Sequence, residues 1–265
     1  MVNELVLTNV EDNIAYLTLN SPEQLNVLSE QMMNTLLSYL GEIEQNPDVR
    51  CVVIKANGRA YCAGHNLAEL STQDCNQESR KNDLKQLFEL CSSLMIKLKQ
   101  IPQPVIAQVQ GVAVAAGCQL VASCDLAIAG HGAKFGVNGV NIGLFCSTPM
   151  VALTRNVPRK VAFELLCTGK IIDSQTAHNI GLVNKVVPDN ELAENVKEMA
   201  LTIASKLTEV VKIGKEAFYE QANMTLENAY QFAGDVMVTN LENQNTIEGI
   251  NAFLEKRAPI WDKQK

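Results

Sequence analysis

The residues best suited to chemistry in this sequence are two pairs of very small side chains, Ala63-Gly64 and Ala116-Gly117. Each pair follows a strand-like apolar run and a glycine turn, and the second leads into a helix-like segment. Small side chains let a ligand approach the peptide backbone itself, and the N–H groups at the start of a helix attract negative charge. One such corner is equally typical of close strand–helix packing, so a single copy leaves both interpretations open.

The two corners belong to a repeat with a constant offset of 53 residues. The matching positions are Val52/Val105, Gly58/Gly111, Ala60/Ala113, Ala63/Ala116, Gly64/Gly117 and Leu67/Leu120. A repeat of this kind predicts stacked copies of one supersecondary unit. Two corners that face each other can direct two N–H groups at one oxygen atom, which is the arrangement of an oxyanion hole.

Strands and helices must hold these corners in place. Strands are predicted over residues 51–56, 105–109, 125–129 and 183–187, after a hairpin of residues 4–8 and 13–20 joined by a turn at 9–12. Helices are predicted from Ser29 to Asn46-Pro47 and over 83–101, 148–156, 158–168, 174–180, 190–207, 209–222, 225–242 and 244–256. We expect residues 71–82 to form a surface loop, either mobile beside the site or an ordinary connection, and residues 130–143 to be irregular.

Composition limits the possible classes of protein. With 265 residues, 47% hydrophobic and 19% charged, the chain can form one large globular domain or a domain with an appendage. A net charge of −7 argues against nucleic acid or an anionic membrane as a partner, and the apolar runs are too short to span a bilayer. Eight cysteines without C-x-x-C spacing, and only three histidines, argue against a metal site. Because no signal or transit sequence is recognisable, we predict a cytoplasmic protein with reduced thiols.

The run GRAYCAGHNL, followed by PVIAQVQGVAVAAGCQL, VASCDLAIAG and a later Phe-Gly, resembles the enoyl-CoA hydratase/isomerase (crotonase) superfamily. The resemblance extends from LTLNSPEQLNVLS to EGINAFLEKRAP, and AAGCQLVASCD and GLFCSTPMVAL resemble one group within the superfamily most. It implies an α/β fold, with a crotonase-type spiral of ββα units over residues 1–200 that binds acyl-CoA. It also implies a helical region over residues 201–265 that covers the pocket and builds homotrimers or dimers of trimers. A role in fatty acid metabolism is implied as well, with no cofactor, since a CoA thioester is the substrate.

The resemblance assigns the two oxyanion-hole donors to the backbone N–H groups of His65 and Ala116. In measured oxyanion holes each donor contributes roughly 3–4 kcal/mol to the stability of the developing enolate. Many relatives have glycine where Ala116 stands, and a methyl group is acceptable there if φ is negative. The His65 imidazole is either a general base or, as we favour, part of the pocket wall.

Both glutamates with which hydratases of the superfamily position water are replaced here, by Gln119 in AAGCQ and by Gly139 in FGVNG. An amide keeps a hydrogen bond but has no useful basicity, and glycine keeps nothing. No Asp or Glu stands between Asp125 and Glu164 to replace them. Since each positioned acid or base contributes about 10²–10⁴-fold, we predict weak or absent hydration of 2-enoyl-CoA.

Substrate contacts follow from the same resemblance. The residues implied are Gln24, Leu25, Ala60, Ala63, Gly64, Gly117, Ser147, Phe253 and Lys256. Ser147 either orients a polar group or caps a helix, and Lys256 with Arg257 either covers the pocket or ends a helix. Cys118 is interpreted as a buried, inert thiol more readily than as a thiolate.

Three functions therefore stay open: an acyl-CoA lyase or hydratase-like enzyme that forms a thioester enolate, a decarboxylase or thioester hydrolase on the same scaffold, and a non-catalytic acyl-CoA-binding protein.

Overall fold

A computed structural model describes residues 4–71 and 77–261 of the chain. Two compact units are present, Met1–Ala204 and Ser205–Lys265. The strands of the first unit are β1 (Val6–Glu11), β2 (Ile14–Leu19), β3 (Cys51–Ala56), β4 (Ala60–Cys62), β5 (Val105–Val109), β6 (Val112–Val114), β7 (Leu126–Gly130), β8 (Lys134–Gly136), β9 (Ile172–Asp173) and β10 (Lys185–Val187). Its helices are α1 (Glu30–Glu44), α2 (Leu67–Leu70), α3 (Gln77–Gln100), α4 (Ala116–Ser123), α5 (Pro149–Leu153), α6 (Arg159–Thr168), α7 (Ser174–Asn179) and α8 (Leu192–Ala204).

The repeat read from the sequence is a spiral of stacked strand pairs. Strands β3 and β5 are parallel neighbours in a six-stranded sheet of order β1-β2-β3-β5-β7-β10, and Val52 stands opposite Val105. Strands β4, β6, β8 and β9 form a second, four-stranded sheet. The turns that lead from the first sheet to the second contain Gly58 and Gly111, with φ of +87° and +61°. The predicted α/β spiral is therefore confirmed.

The large sheet is covered on both faces. One face packs into the main core, which includes fully buried residues of α1, α3 and α4 such as Leu36, Leu94 and Leu120. The other face packs against Leu192, Val196 and Ala200 of α8. Burial on both faces explains why β3 and β5 are continuous apolar runs rather than alternating ones.

Three local predictions differ from the structure. The hairpin turns at Asp12-Asn13, whose φ values of 54° and 63° suit a two-residue turn, so the predicted turn over 9–12 was too long. Residues 77–82 begin α3, and residues 72–76 of the predicted loop lie outside the described residues. The segment 130–143, which we expected to be irregular, contains β8 and a 3₁₀ helix, Asn138–Ile142. Strand β8 is stabilised by pairing with β6, and the local sequence does not predict that pairing.

The second unit consists of α9 (Thr208–Gln221), α10 (Leu226–Leu241) and α11 (Gln244–Leu254). Helix α10 packs against α9 and α11. Asn243 caps α11 by accepting a hydrogen bond from Asn245 N–H at 2.9 Å. Among the described residues, no helix combines the length and apolar character needed to cross a membrane.

Candidate active site

The first corner is formed where the chain leaves β4. Gly64 has φ of +103°, a conformation that side chains rarely adopt. Its carbonyl oxygen accepts a hydrogen bond from Leu28 N–H at 2.8 Å. Because a trans peptide is planar, the C=O and N–H of one peptide point in opposite directions. The bond from Leu28 therefore directs the N–H of His65 away from Leu28.

The second corner is the start of α4. Ala115 adopts φ of 50° and ψ of −119°, a conformation that glycine adopts far more readily. The Ala115 carbonyl accepts a hydrogen bond from Gln119 N–H at 3.0 Å, and the Ala115 N–H donates to Gly136 O at 2.9 Å. The N–H of Ala116 belongs to the same peptide as the Ala115 carbonyl, so it points out of the N-terminal end of α4, where helix donors have no intrahelical partner.

The two corners are in contact. A Cβ atom added to Gly64 would lie 3.0 Å from Ala115 Cβ and 3.5 Å from Ala116 N. A Cβ atom added to Gly117 would lie only 2.1 Å from Cys62 O, because the first turn of α4 packs directly on the backbone of β4. Ala116 itself is helical, so its methyl group is tolerated as expected. The absence of side chains at 64 and 117 is what brings the two backbones together.

The His65 side chain is held in the wall of the site. Its Nδ1 lies 3.3 Å from Leu28 O, and its ring meets Phe88 edge-on at a centroid distance of 5.6 Å. Nε2 is buried and has no hydrogen-bond partner among the described residues. Burial lowers the pKa of His65, and the hydrogen bond to the Leu28 carbonyl opposes that shift only in part. These contacts favour a neutral wall residue over a general base.

The positions of the two missing carboxylates differ in kind. Gln119 is 4% exposed, and its Oε1 lies 4.0 Å from Cys91 Sγ on α3. Gly139 donates its N–H to Cys146 Sγ at 3.3 Å. A Cβ atom added at 139 would lie 2.4 Å from Leu144 O and 2.8 Å from Cys146 Sγ. A side chain therefore fits at 119, whereas the segment 144–146 occupies the space that one would need at 139.

The other predicted contact residues fall in two places. Leu25, with φ of 54°, follows the 3₁₀ turn Pro22–Gln24 that contains Gln24, and its carbonyl accepts a hydrogen bond from Ala63 N–H at 3.1 Å. Ala60 is buried in β4. The structure thus brings Gln24, Leu25, Ala60, Ala63 and Gly64 into one connected region.

Ser147 is exposed and donates to Phe145 O at 3.3 Å, while Thr148 occupies the N-cap position of α5. Phe253 and Lys256 belong to the second unit, where Phe253 is 82% exposed and Lys256 has φ of 54°. Burial raises the pKa of Cys118 to about 12. This shift favours the interpretation of Cys118 as an inert thiol, and the roles of Ser147, Phe253 and Lys256 stay predictions.

Sequence reasoning missed several residues of this region. Asn26 contacts Ala60 in β4 and Phe88 contacts the His65 ring, while Cys91 contacts Gln119 and Cys146 contacts Gly139. Ala115 was recognised as part of a run of small residues at a turn, but its positive φ was not. The others depend on contacts between segments far apart in the chain.

Comparison with known proteins identifies the family. The profile of the enoyl-CoA hydratase/isomerase family matches residues 9–264, nearly the whole chain. The chain belongs to the enoyl-CoA hydratase/isomerase family. The resemblance read from the sequence motifs is thereby confirmed.

Particular members of the family are closely similar. Enoyl-CoA hydratase domain-containing protein 3, mitochondrial, of Xenopus laevis is 43% identical over 257 residues, covering 97% of this chain and 86% of the relative. The crystal structure of human enoyl Coenzyme A hydratase domain-containing protein 3 is 43% identical, with a TM-score of 0.93 over 97% of this chain and 100% of that chain. A structure of enoyl-CoA hydratase from Mycobacterium smegmatis is also 43% identical, with a TM-score of 0.93 over 98% and 99% of the two chains. The group that AAGCQLVASCD and GLFCSTPMVAL resemble is the domain-containing protein 3 group, and this prediction is confirmed.

The predicted cytoplasmic location is wrong. The Xenopus, rat and human relatives in the family carry the designation mitochondrial in their names. The prediction was based on the lack of a recognisable signal or transit sequence, which does not establish where a protein is located, and reduced thiols do not distinguish one reducing compartment from another.

Proposed function

We propose that this protein binds an acyl-CoA thioester with its carbonyl oxygen between the N–H groups of His65 and Ala116, and that it stabilises the enolate form of the thioester. The observation that carries the proposal is the contact between the two corners: a Cβ atom added to Gly64 would lie only 3.5 Å from Ala116 N. Donors fixed in advance stabilise negative charge without reorganisation. Membership of the enoyl-CoA hydratase/isomerase family supports acyl-CoA as the ligand class.

We expect ordinary hydration of 2-enoyl-CoA to be weak or absent. Addition of water to the double bond needs a group that removes a proton from water and a group that delivers one to the α-carbon. Gln119 cannot act as a base, and residue 139 has no side chain. The region from 126 to 163 contains no Asp or Glu that could take over.

Decarboxylation of a malonyl-type thioester is the second candidate, favoured by this lack of carboxylates. The bond between the α-carbon and the carboxylate carbon breaks, carbon dioxide leaves, and the electron pair moves into the enolate. The α-carbon then takes a proton from solvent. Stabilisation of the enolate is the main requirement of this reaction, and two backbone donors supply it.

A substrate panel separates the candidates. Crotonyl-CoA hydration, malonyl-type decarboxylation and thioester hydrolysis are measured beside the affinity for CoA esters by calorimetry. Turnover of the malonyl-type thioester with crotonyl-CoA untouched supports decarboxylation, and tight binding without any turnover supports a binding protein. Hydration near the diffusion ceiling would contradict our assignment of residues 119 and 139.

The names of the relatives support a mitochondrial location, which fluorescence microscopy of the tagged protein with a mitochondrial marker tests.

We also propose the homotrimer implied by the family resemblance. Large apolar side chains exposed on the second unit support it, among them Leu226, Tyr230 and Phe253 at 73%, 75% and 82% exposure. Light scattering coupled to size-exclusion chromatography measures the mass, and a monomer at micromolar concentration would exclude the trimer.

A further inference from the structure

Asn26 is a fully buried polar residue in an unusual conformation. It is 0% exposed and has φ of 53°, a positive value that asparagine adopts more readily than most residues other than glycine. It stands in the segment 21–28, between β2 and α1. A buried amide must satisfy its hydrogen bonds within the protein, and the partners of this one show what it holds together.

The amide of Asn26 makes three short hydrogen bonds. Its Oδ1 accepts from Ser21 N–H at 2.8 Å. Its Nδ2 donates to Asn57 O at 2.8 Å and to Ala60 O at 2.8 Å. Both N–H donors of the amide are therefore used. Ala60 begins β4, so the side chain ties the segment 21–28 to the strand that leads into the first corner.

The same segment then fixes the peptide that contains the His65 N–H. Leu25 O accepts from Ala63 N–H at 3.1 Å, and Leu28 N–H donates to Gly64 O at 2.8 Å. The Gly64 carbonyl and the His65 N–H are opposite ends of one planar peptide. Any rotation of the segment 25–28 about its attachment at Asn26 consequently turns the His65 N–H.

We propose that Asn26 is a positioning residue for the first oxyanion donor. It does not touch the substrate; it holds the segment 25–28 in the register that orients the His65 peptide. The inference rests on the proposed function, since it assumes that the His65 N–H contacts the thioester oxygen. Misplacement of a reacting group by about 1 Å can lower a rate about 100-fold, so loss of this support is expected to reduce turnover by 10- to 100-fold.

The test uses Asn26→Asp, which keeps the shape and the acceptor for Ser21 N–H but loses both donors. The matched control is Asn184→Asp, because Asn184 Oδ1 accepts one backbone hydrogen bond, from Ala127 N–H at 2.8 Å at the edge of β7. For each protein, infrared difference spectroscopy records the stretching frequency of an isotope-labelled thioester carbonyl in bound acyl-CoA. Thermal unfolding is measured in parallel.

In the wild-type protein, hydrogen bonds from the His65 and Ala116 N–H groups are expected to lower the stretching frequency of the thioester carbonyl below that of the free thioester. In Asn26→Asp we expect much of that lowering to disappear, with turnover reduced 10- to 100-fold. In Asn184→Asp we expect the frequency to be unchanged even if the unfolding temperature falls. If Asn26→Asp does not fold, Asn26→Ser, which keeps one short donor, replaces it in the same comparison.

Two failures are distinguishable. An Asn26 variant whose bound carbonyl has the wild-type frequency overturns the positioning role and leaves the proposed function intact. A wild-type carbonyl at the free frequency overturns the proposed function, and the positioning role with it.

Discussion

Replacement of Gly64 by alanine tests the first corner most directly. At φ of +103° a residue with a Cβ atom is strained by about 1–3 kcal/mol. The added atom would also lie 3.0 Å from Ala115 Cβ and 3.4 Å from Val114 O, so one of the two corners must shift. We expect the free energy of unfolding of Gly64→Ala to fall by about 2 kcal/mol.

The same substitution should impair the site beyond its effect on stability. The simplest relief of the strain is rotation of the Gly64–His65 peptide, which turns the His65 N–H away. Loss of one oxyanion donor lowers turnover by about 10²–10³-fold. The assays are urea unfolding, which gives the free energy, and turnover of whichever thioester the substrate panel identifies.

Gly41→Ala is the matched control for this experiment. Gly41 lies inside α1, and a Cβ atom added there meets no atom within 4 Å. Alanine favours a helix over glycine by about 1 kcal/mol, so Gly41→Ala should be slightly stabilised and fully active. The reasoning is refuted if Gly64→Ala equals Gly41→Ala in both stability and turnover.

Three further outcomes are expected. Ala115→Gly should raise the free energy of unfolding by about 1 kcal/mol, because the strain released at φ of 50° exceeds the entropic cost of glycine. Urea unfolding measures this change, and a loss of stability would show that Ala115 is unstrained. Gln119→Glu should raise crotonyl-CoA hydration by only about 10²-fold, the low end of what one acid–base group contributes, because two groups that act together give little when one is still missing. A rate typical of a full hydratase would contradict the blocked position at Gly139. Burial lowers the pKa of His65 in the folded protein, so below the ordinary histidine pKa of 6.5 the unfolded chain binds the proton first. The stability that the neutral His65 contributes above pH 6.5 is therefore lost as the pH falls. Urea unfolding at pH 7 and pH 5 should show a smaller decrease in the free energy of unfolding for His65→Gln than for wild type.

The sequence predicted those parts of the fold that follow from local chemistry. The constant offset between the repeats identified β3 and β5 as neighbours, and Val52 does stand opposite Val105. Ser29 was recognisable as the start of α1 because serine is a preferred N-cap residue. In the structure its side chain accepts a hydrogen bond from Met32 N–H at 3.2 Å. Burial and hydrogen bonding within a few residues leave such patterns in the sequence.

The parts that the sequence did not predict depend on distant contacts. Strand β8 is only three residues long and is stabilised by pairing with β6. Asn26 resembles any loop asparagine until Asn57 and Ala60 are brought to its side chain. The corner at Ala115 was recognised as a run of small residues, but the positive φ falls on Ala115 rather than on a glycine, and only the backbone reveals it.

The contact between Gly139 and the segment 144–146 limits how this scaffold can be redesigned. A glutamate introduced at 139 alone would force its Cβ atom against Leu144 O, so a one-residue change would be penalised before it could contribute a carboxylate. A designer who wants two acidic groups here must first reshape the connection that follows Ile142, and a library that varies residues 139 and 143–146 together is the appropriate starting point. The segment 143–146 must therefore change before or together with residue 139 if this protein is to be redesigned to add water to a double bond.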